Sequence, residues 1–178
     1  MGILVCGLNG SGKSTLARML AESLDYSFID CEDLFFTKDD PTYEYSCPRG
    51  KQEVISLLEE RIRKNKRFVF AAIRGDYGEE FLSALEYAVV INVPREVRLQ
   101  RVYERSLRKF GERMLEGGDL YDREKEFFEV VKARPEDFVT EWISQIEYPV
   151  IHIDGTRPLK ENLAYLLSVL HHGSGKQE

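Results

Sequence analysis

Eight residues near the N-terminus have the composition and spacing of a phosphate-binding loop. Residues 7–14 read Gly-Leu-Asn-Gly-Ser-Gly-Lys-Ser, after an apolar segment and before a helical pattern, which is the setting that the GxxxxGK[ST] motif requires. Glycines let the backbone turn with several amide N–H groups pointing inward, and the N-terminus of the following helix adds partial positive charge. The sequence therefore predicts a site for the phosphates of ATP.

The side chains at the end of this loop predict individual contacts. Lys13 can reach the β- and γ-phosphates, the Ser14 hydroxyl can ligate Mg²⁺, and Thr15 follows beside the α-phosphate. The expected ligands of this site are ATP and Mg²⁺. The expected contacts are Gly7, Asn9, Gly10, Ser11, Gly12, Lys13, Ser14 and Thr15.

Polar residues follow two further apolar segments. Asp30, Glu32 and Asp33 come directly after residues 26–29, and Arg74 follows a later segment. Ligands of a doubly wound sheet bind beyond the carboxyl ends of its strands, so we expect a small-molecule acceptor there. Because a guanidinium pairs with carboxylate or phosphate groups, Arg74 indicates an anionic acceptor. The expected acceptor contacts are Glu32, Asp33, Arg74, Asp76 and Tyr77.

Three of these positions, Asp30, Asp33 and Arg74, have a purely structural alternative. Asp30 and Asp33 can serve only to cap a short helix that follows them. Arg74 can be an ordinary surface residue. The sequence alone leaves these alternatives open.

A basic segment follows the fourth apolar run. Arg98, Arg101, Arg105 and Arg108 advance by three, four and three residues, so they lie on one face of a helix. Phosphoryl transfer spreads negative charge over the transferred oxygens, and fixed cations stabilise that charge. A solvated basic stripe paired with neighbouring acids is the alternative.

The elements that must position these residues follow from apolar periodicity. Short apolar runs lie at 3–6, 26–29, 67–73, 88–93 and 150–153, and their continuous character favours parallel strands covered on both faces. Helical spacing lies at 13–24, 52–64, 79–86, 96–110, 122–132, 135–145 and 158–170. The sequence predicts an α/β fold of the P-loop NTPase type: a doubly wound sheet of about five parallel strands, with helices on both faces and a helical lid.

Length and composition limit the class of protein. The chain of 178 residues predicts one domain over residues 1–171 and a flexible tail over 172–178. A formal net charge of −6 argues against nucleic acid as a partner, and no apolar run is long enough to predict a membrane span. Three cysteines without metal-ligand spacing indicate reduced thiols and a cytoplasmic location. We expect a monomer or a homodimer.

Other classes of P-loop protein need residues that this chain lacks. Motor, transporter and remodelling ATPases usually place an Asp-Glu pair after an apolar strand, whereas the third and fourth apolar runs end in Arg74 and Asn92. GTPases of the common type need Asn-Lys-x-Asp, and residues 65–68 lack its aspartate. The sequence therefore predicts a small-molecule or nucleotide kinase with ATP as the donor. An ATP-binding regulatory module without turnover and a P-loop hydrolase are the alternatives.

The acid cluster resembles a motif of a known group of proteins. Residues 28–34, Phe-Ile-Asp-Cys-Glu-Asp-Leu, are similar to the acidic motif after the second strand of the P-loop small-molecule kinases, which include adenylate, shikimate and gluconate kinases. The resemblance implies that Asp30 supports Mg²⁺ through water, and that Glu32 or Asp33 orients the acceptor hydroxyl and accepts its proton. Glu32 stands where the group usually has aspartate, which leaves open which of the two acids is the base.

The basic segment extends the resemblance. Residues 93–105, Val-Pro-Arg-Glu-Val-Arg-Leu-Gln-Arg-Val-Tyr-Glu-Arg, look like the strand-to-helix segment of adenylate-kinase-like proteins. The resemblance implies that Arg101 and Arg105 stabilise the transferred phosphoryl group, with Arg101 also contacting the nucleotide. It also implies a lid at about 108–134 and an acceptor-binding insert at about 33–64. The expected catalytic residues are Lys13, Glu32, Asp33, Arg101 and Arg105.

The last apolar run leads into a turn that is similar to the adenine loop of the same kinases. Residues 150–158 read Val-Ile-His-Ile-Asp-Gly-Thr-Arg-Pro. The resemblance implies that Gly155, Arg157 and Pro158 contact the nucleotide base. A plain turn, chosen for its glycine and proline, is the alternative.

Overall fold

A single parallel sheet forms the centre of the protein, and the computed structural model describes residues 1–173 of the chain. The strands are β1 (Gly2–Cys6), β2 (Ser27–Asp30), β3 (Phe68–Ala72), β4 (Leu85–Asn92) and β5 (Val150–Asp154). They lie in the order β2-β3-β1-β4-β5, and every neighbouring pair is parallel. The carboxyl ends of all five strands therefore meet at one edge, where the residues expected to do chemistry follow them. The predicted α/β sheet is confirmed.

Helices cover both faces of this sheet. They are α1 (Lys13–Leu24), α2 (Cys31–Phe35), α3 (Lys51–Lys64), α4 (Glu79–Ala84), α5 (Arg95–Phe110), α6 (Tyr121–Ala133), α7 (Phe138–Ile143) and α8 (Leu159–Gly173), with a 3-10 helix at Gly111–Met114. None of the helices in this described part of the chain combines the length and apolar character needed to cross a membrane. Helix α8 includes the first two residues of the predicted tail, and residues 174–178 of that tail lie outside the described residues.

The core consists of two apolar layers, one on each face of the sheet. On one face, side chains of α1 and α8 such as Leu20 and Leu166 pack against β1, β3, β4 and β5. On the other face, α3, α4 and α7 contribute residues such as Leu58, Phe81 and Trp142. Alternate residues of the central strands enter the two layers, which explains why their sequences are continuously apolar. This double cover makes the carboxyl edge of the sheet a rigid base for the site.

The predicted bounds of β4, α4 and α7 are wrong. Strand β4 begins at Leu85 rather than at residue 88, and α4 ends at Ala84 rather than at 86, because Leu85 is buried and pairs with Gly2 of β1. Helix α7 spans only Phe138–Ile143 instead of 135–145. The residue before a proline is restricted to extended backbone, and the chain is extended there, so it leaves α6 and turns before α7 begins.

Candidate active site

The predicted phosphate loop connects β1 to α1 in a tight turn. Gly10 and Gly12 have φ angles of 81° and 89°, a left-handed conformation that side chains with a Cβ rarely adopt. The amide of Gly7 donates to the carbonyl of Ile73 at 3.2 Å, and the amide of Ser11 donates to the carbonyl of Leu8 at 3.1 Å. The loop is thus closed on itself and tied to the chain that follows β3.

The loop and the first turn of α1 have the features of an anion cradle. Helix α1 starts at Lys13 with Gly12 as its N-cap, and among the described residues no side chain caps it. Its first amide groups can therefore donate to an anion instead. The buried Ser11 hydroxyl also lacks a hydrogen-bond partner in this part of the chain, which a phosphate oxygen could supply. Ser14 is half-buried and Thr15 exposed in the same first turn, so the predicted residues fit a bound triphosphate.

The first arginine of α5 supports this loop from behind. Arg98 is only 4 % exposed, and its guanidinium donates to the carbonyl of Asn9 at 3.4 Å and to both carboxylate oxygens of Glu136 at 2.6 and 2.7 Å. The charge is paired, as burial requires. Arg98 therefore serves to hold the loop in place and does not share the phosphate-facing position expected for the basic helix face.

Gly10 is a position where the loop tolerates no side chain. A Cβ on Gly10 would lie 2.3 Å from the carbonyl oxygen of Arg98, whereas a Cβ on Gly12 would meet no atom within 4 Å. Gly10→Ala is expected to lower the free energy of unfolding by about 2–4 kcal/mol, from left-handed strain plus a backbone clash. Gly12→Ala is the control and should cost about 1–2 kcal/mol, from strain alone. Urea unfolding of both variants measures the difference, and equal losses would contradict the proposed contact with α5.

The lysine of the loop faces the acids after β2. Burial lowers the pKa of Lys13, while the nearby carboxylates of Asp30 and Glu32 oppose this fall and the nearby Arg105 adds to it. The Arg105 guanidinium also lies 4.0 Å from a carboxylate oxygen of Glu32. Four of the predicted residues, from the loop, the end of β2 and α5, are therefore brought together at one place. Arg101, the other arginine predicted to be catalytic, instead donates to the carbonyl of Gly155 in the turn after β5.

Asp30 and Asp33, the other two acids of the cluster, have different surroundings. One oxygen of Asp30 accepts a hydrogen bond from the amide of Glu32 at 3.0 Å, so Asp30 caps α2, the short helix that the structural alternative anticipated. This leaves its other oxygen for water or a cation. The carboxylate of Asp33 accepts a hydrogen bond from the exposed Lys38 at 2.5 Å, so its charge is already paired, whereas Glu32 acts on the charge of Lys13. The geometry thus favours Glu32 over Asp33 as the acid that faces the phosphate loop.

The turn after β5 packs directly on the phosphate loop. The amide of Gly155 donates to the carbonyl of Asn92 at 2.8 Å, and a Cβ at this position would lie 3.1 Å from the carbonyl oxygen of Ser11. Both terminal nitrogens of Arg101 donate to the Gly155 carbonyl at 3.1 Å. Arg157 is exposed and lies 3.4 Å from Glu161. The turn and Arg101 therefore border the loop, where a nucleotide base could lie.

A cavity of about 250 Å³ lies on the other side, at the end of β3. Asp76 accepts hydrogen bonds from Arg74 at 3.0 and 3.3 Å and from Lys51 at 3.0 Å. Although burial acts to raise the pKa of Asp76, these two cations hold it below its usual value. Tyr77 contacts the Cys31 thiol at 2.9 Å, which ties this region to the end of β2. The cavity is lined by Phe35, Lys51, Val54, Ile73, Arg74, Asp76, Tyr77 and Phe138.

One further cation near this cavity was not singled out from the sequence. Arg134 follows α6, and its guanidinium donates to the side-chain oxygen of Asn9 in the phosphate loop. The guanidinium carbons of Arg74 and Arg134 lie 4.0 and 5.7 Å from the ring centroid of Phe138. Burial, with a smaller contribution from the nearby Arg74, lowers the pKa of Arg134. In the sequence, Arg134 is marked only by its position before Pro135, where a helix is expected to end.

A second cavity, of about 540 Å³, lies beside the start of the loop rather than on its phosphate-facing side. It is lined by residues such as Leu8, Asn92, Thr140 and His152. These belong to the loop, to the ends of β4 and β5, and to α7. Neither Lys13 nor Glu32 lines this cavity, although it is the larger of the two.

Comparison with known proteins places this site in a family context. A model of the AAA domain family matches residues 3–129, more than half of the chain, including the phosphate loop, the acid cluster and α5. The chain belongs to the AAA domain family. A curated relative, the uncharacterized protein YqaC of Bacillus subtilis (strain 168), is 23 % identical over 176 residues, which cover 94 % of this chain and 96 % of YqaC.

Solved structures of two kinases have the same fold as this member of the AAA domain family. A shikimate kinase from Acinetobacter baumannii, solved in complex with shikimate, matches with a TM-score of 0.57 and 18 % identity, over 99 % of this chain and 95 % of that one. A gluconokinase from Sinorhizobium meliloti 1021 matches with a TM-score of 0.52 and 18 % identity, over 97 % of both chains. The predicted resemblance to the P-loop small-molecule kinases is confirmed at the level of the fold.

Proposed function

We propose that this protein is an ATP-dependent phosphotransferase that moves the γ-phosphoryl group of Mg-ATP to a small, anionic acceptor. The observation that carries the proposal is the meeting of a glycine-rich phosphate loop, Lys13 and the carboxylate of Glu32 at one edge of the sheet. A cavity that Lys51 and Arg74 help to line opens next to this edge. The kinase-like fold supports the same conclusion.

The donor side of the reaction uses the loop, α1 and α5. The loop amides and Lys13 would bind the β- and γ-phosphates, and Arg105 would neutralise charge on the transferred oxygens. Gly155, Arg157 and Pro158, with Arg101, would border the nucleotide base. Ser14 and Asp30 would hold Mg²⁺, which when bound neutralises phosphate charge and orients the γ-phosphoryl group.

The transfer itself needs one proton acceptor. A hydroxyl oxygen of the acceptor attacks the γ-phosphorus in line, the bond from that phosphorus to the β–γ bridging oxygen breaks, and ADP leaves with the electron pair. The hydroxyl proton passes to the carboxylate of Glu32, which lies beside Lys13 and Arg105. The products are ADP and a phosphorylated acceptor, and the proton is later released to water.

The acceptor class follows from the cations around the cavity. Lys51 shares the carboxylate of Asp76 with Arg74, whereas Arg134 is directed to a neutral amide oxygen of the loop. The three cations Lys51, Arg74 and Arg134 therefore exceed the single negative charge of Asp76. A carboxylate or phosphate of a small acceptor would balance this charge. The cavity volume of about 250 Å³ limits the acceptor to a compact molecule.

We infer a cytoplasmic enzyme, since the three cysteines are free thiols.

A coupled assay for ADP release tests this function. Mg-ATP is supplied with a panel of hydroxylated carboxylic acids, sugar acids, sugar phosphates and nucleoside monophosphates. We expect one chemical class to stimulate ADP release and to appear phosphorylated by mass spectrometry. Turnover that is the same with and without every acceptor would support a hydrolase, and binding of Mg-ATP without turnover would support a regulatory module.

The proposed anion site gives a sharper prediction. Arg134→Ala is expected to raise KM for the acceptor by about 10- to 100-fold, because a charge-assisted hydrogen bond contributes about 1.5–3 kcal/mol. The dissociation constant of Mg-ATP should rise by a smaller factor, about 3- to 10-fold, because Arg134 also donates to Asn9 of the phosphate loop. Arg61→Ala, an exposed arginine on α3, is the control. An unchanged KM in Arg134→Ala, once the acceptor is known, would remove Arg134 from the acceptor site.

A further inference from the structure

A single tyrosine hydroxyl links the acid cluster to the end of α5. The Tyr45 hydroxyl donates to one carboxylate oxygen of Glu32 at 3.0 Å and accepts from the ammonium group of Lys109 at 2.8 Å. Tyr45 belongs to the chain between α2 and α3, and Lys109 lies in the last turn of α5, at the start of the predicted lid over residues 108–134. The hydroxyl therefore links the chain between α2 and α3 to both α2 and α5. Its partner on α2 is Glu32, the carboxylate proposed to accept the proton.

The ring of Tyr45 is held on several sides. Its centroid lies 5.1 Å from that of Phe36, 5.5 Å from that of Tyr43 and 6.2 Å from that of Phe110, and the Lys109 nitrogen lies 4.5 Å from it. These are the edge-to-face and cation–π geometries that stabilise aromatic clusters. Burial, together with the nearby carboxylate of Glu32, raises the pKa of Tyr45, so the hydroxyl keeps its proton at neutral pH and acts as a donor.

Glu32 needs such support because its side chain is otherwise free to rotate. It is 47 % exposed, and its second carboxylate oxygen lies 4.0 Å from Arg105. A glutamate has one more rotatable bond than the aspartate common at this position. A base must lie within hydrogen-bond reach of the proton it accepts, and small misplacements of reacting groups are costly. The Tyr45 hydroxyl fixes one oxygen, which leaves the carboxylate a defined orientation.

We propose that Tyr45 is a positioning residue for Glu32, with its hydroxyl oriented by the ammonium group of Lys109. The inference rests on the proposed phosphotransferase function and goes beyond it by naming what aligns the base. Lys109 donates to the oxygen of this hydroxyl, which leaves the O–H of Tyr45 to donate to Glu32.

The neighbouring tyrosine provides a matched control. The Tyr43 hydroxyl donates to a carboxylate oxygen of Glu124 on α6 at 2.8 Å, and Glu124 is only 1 % exposed. Tyr43 thus joins the same segment to the lid by the same kind of bond, but its hydroxyl contacts Glu124 and not Glu32. Tyr43→Phe weakens the attachment of the lid, whereas Tyr45→Phe also frees Glu32.

Steady-state kinetics of a double-mutant cycle separate the two roles. Tyr45→Phe is expected to lower kcat by roughly 10- to 100-fold and to change KM for the acceptor by less than about threefold. In the Glu32→Gln background, Tyr45→Phe should have almost no further effect, because both changes remove the same function. The effect of Tyr43→Phe should persist in that background. Multiplicative losses for Tyr45→Phe and Glu32→Gln would overturn the proposal.

A second measurement needs neither turnover nor an acceptor. The carbon-13 signal of the Glu32 carboxylate, recorded by NMR on the full-length chain at pH 7, should shift in Tyr45→Phe and stay in place in Tyr43→Phe. An unmoved signal in Tyr45→Phe would overturn the positioning role. If that signal moves but no acceptor is phosphorylated by the unaltered protein, the phosphotransferase function fails while the contact between Tyr45 and Glu32 stands.

Discussion

Lys13→Met is expected to lower acceptor-stimulated turnover by at least about 10²–10³-fold, the usual cost of removing one preorganised electrostatic group from a reaction site. Methionine keeps most of the length and volume of lysine but removes its charge. Lys13 stands at the first position of α1, next to the carboxylates of Asp30 and Glu32. Without its charge, these acids repel the incoming phosphates. The measurement is the initial rate of ADP release at saturating acceptor.

An exposed lysine on another helix gives the control for this substitution. Lys160→Met removes the same charge from α8, on the exposed surface, and should change turnover by less than about twofold. Both variants should keep the unfolding midpoint of the unaltered protein within a few degrees. Turnover by Lys13→Met at the rate of Lys160→Met would contradict the role given to the phosphate loop.

Glu32→Gln is expected to lower kcat by about 10²–10⁴-fold, which is the range for loss of a general base. Glutamine preserves the length of the side chain and an oxygen that can still accept from Tyr45, so the fold around the site should persist. It removes only the ability to take the acceptor proton. The measurement is kcat as a function of pH, in which the rate of Glu32→Gln should rise towards high pH as hydroxide replaces the lost base.

A substitution of the adjacent acid, Asp33, tests which of the two candidate acids is the base, a question that the sequence left open. Asp33→Asn makes the same chemical change one residue later, where the carboxylate pairs with Lys38. We expect kcat to fall by less than about threefold in this variant, since exposed ion pairs contribute little. A larger loss in Asp33→Asn than in Glu32→Gln would reverse the assignment and make Asp33 the base.

Much of the architecture could be predicted because the relevant signals are local. Continuous apolar runs identified all five strands, and the glycine spacing of residues 7–14 fixed the place where β1 gives way to α1. The acid cluster and the basic helix were found because they lie at fixed offsets from these elements. Where boundaries were wrong, at β4 and α7, a tertiary contact or the backbone restriction before Pro135 decided the outcome.

The residues that complete the site could not be found this way. Arg134 reaches Asn9 across 125 positions of sequence, and Lys109 reaches Tyr45 across 64. Such pairs depend on how α5 and α6 lie over the sheet, which no local pattern encodes. Arg98 shows the converse case. Its helical spacing grouped it with Arg101 and Arg105, but burial against Glu136 gives it a supporting role instead.

Calorimetric titration of Mg-ATP into the unaltered protein tests the central claim most directly. If residues 7–14 bind a triphosphate as inferred, the titration will show saturable heat for one site, with a dissociation constant between about 1 μM and 1 mM, the usual range for enzyme substrates. Lys13→Met will bind more weakly in the same titration. The absence of saturable heat with the unaltered protein at millimolar Mg-ATP would contradict the claim.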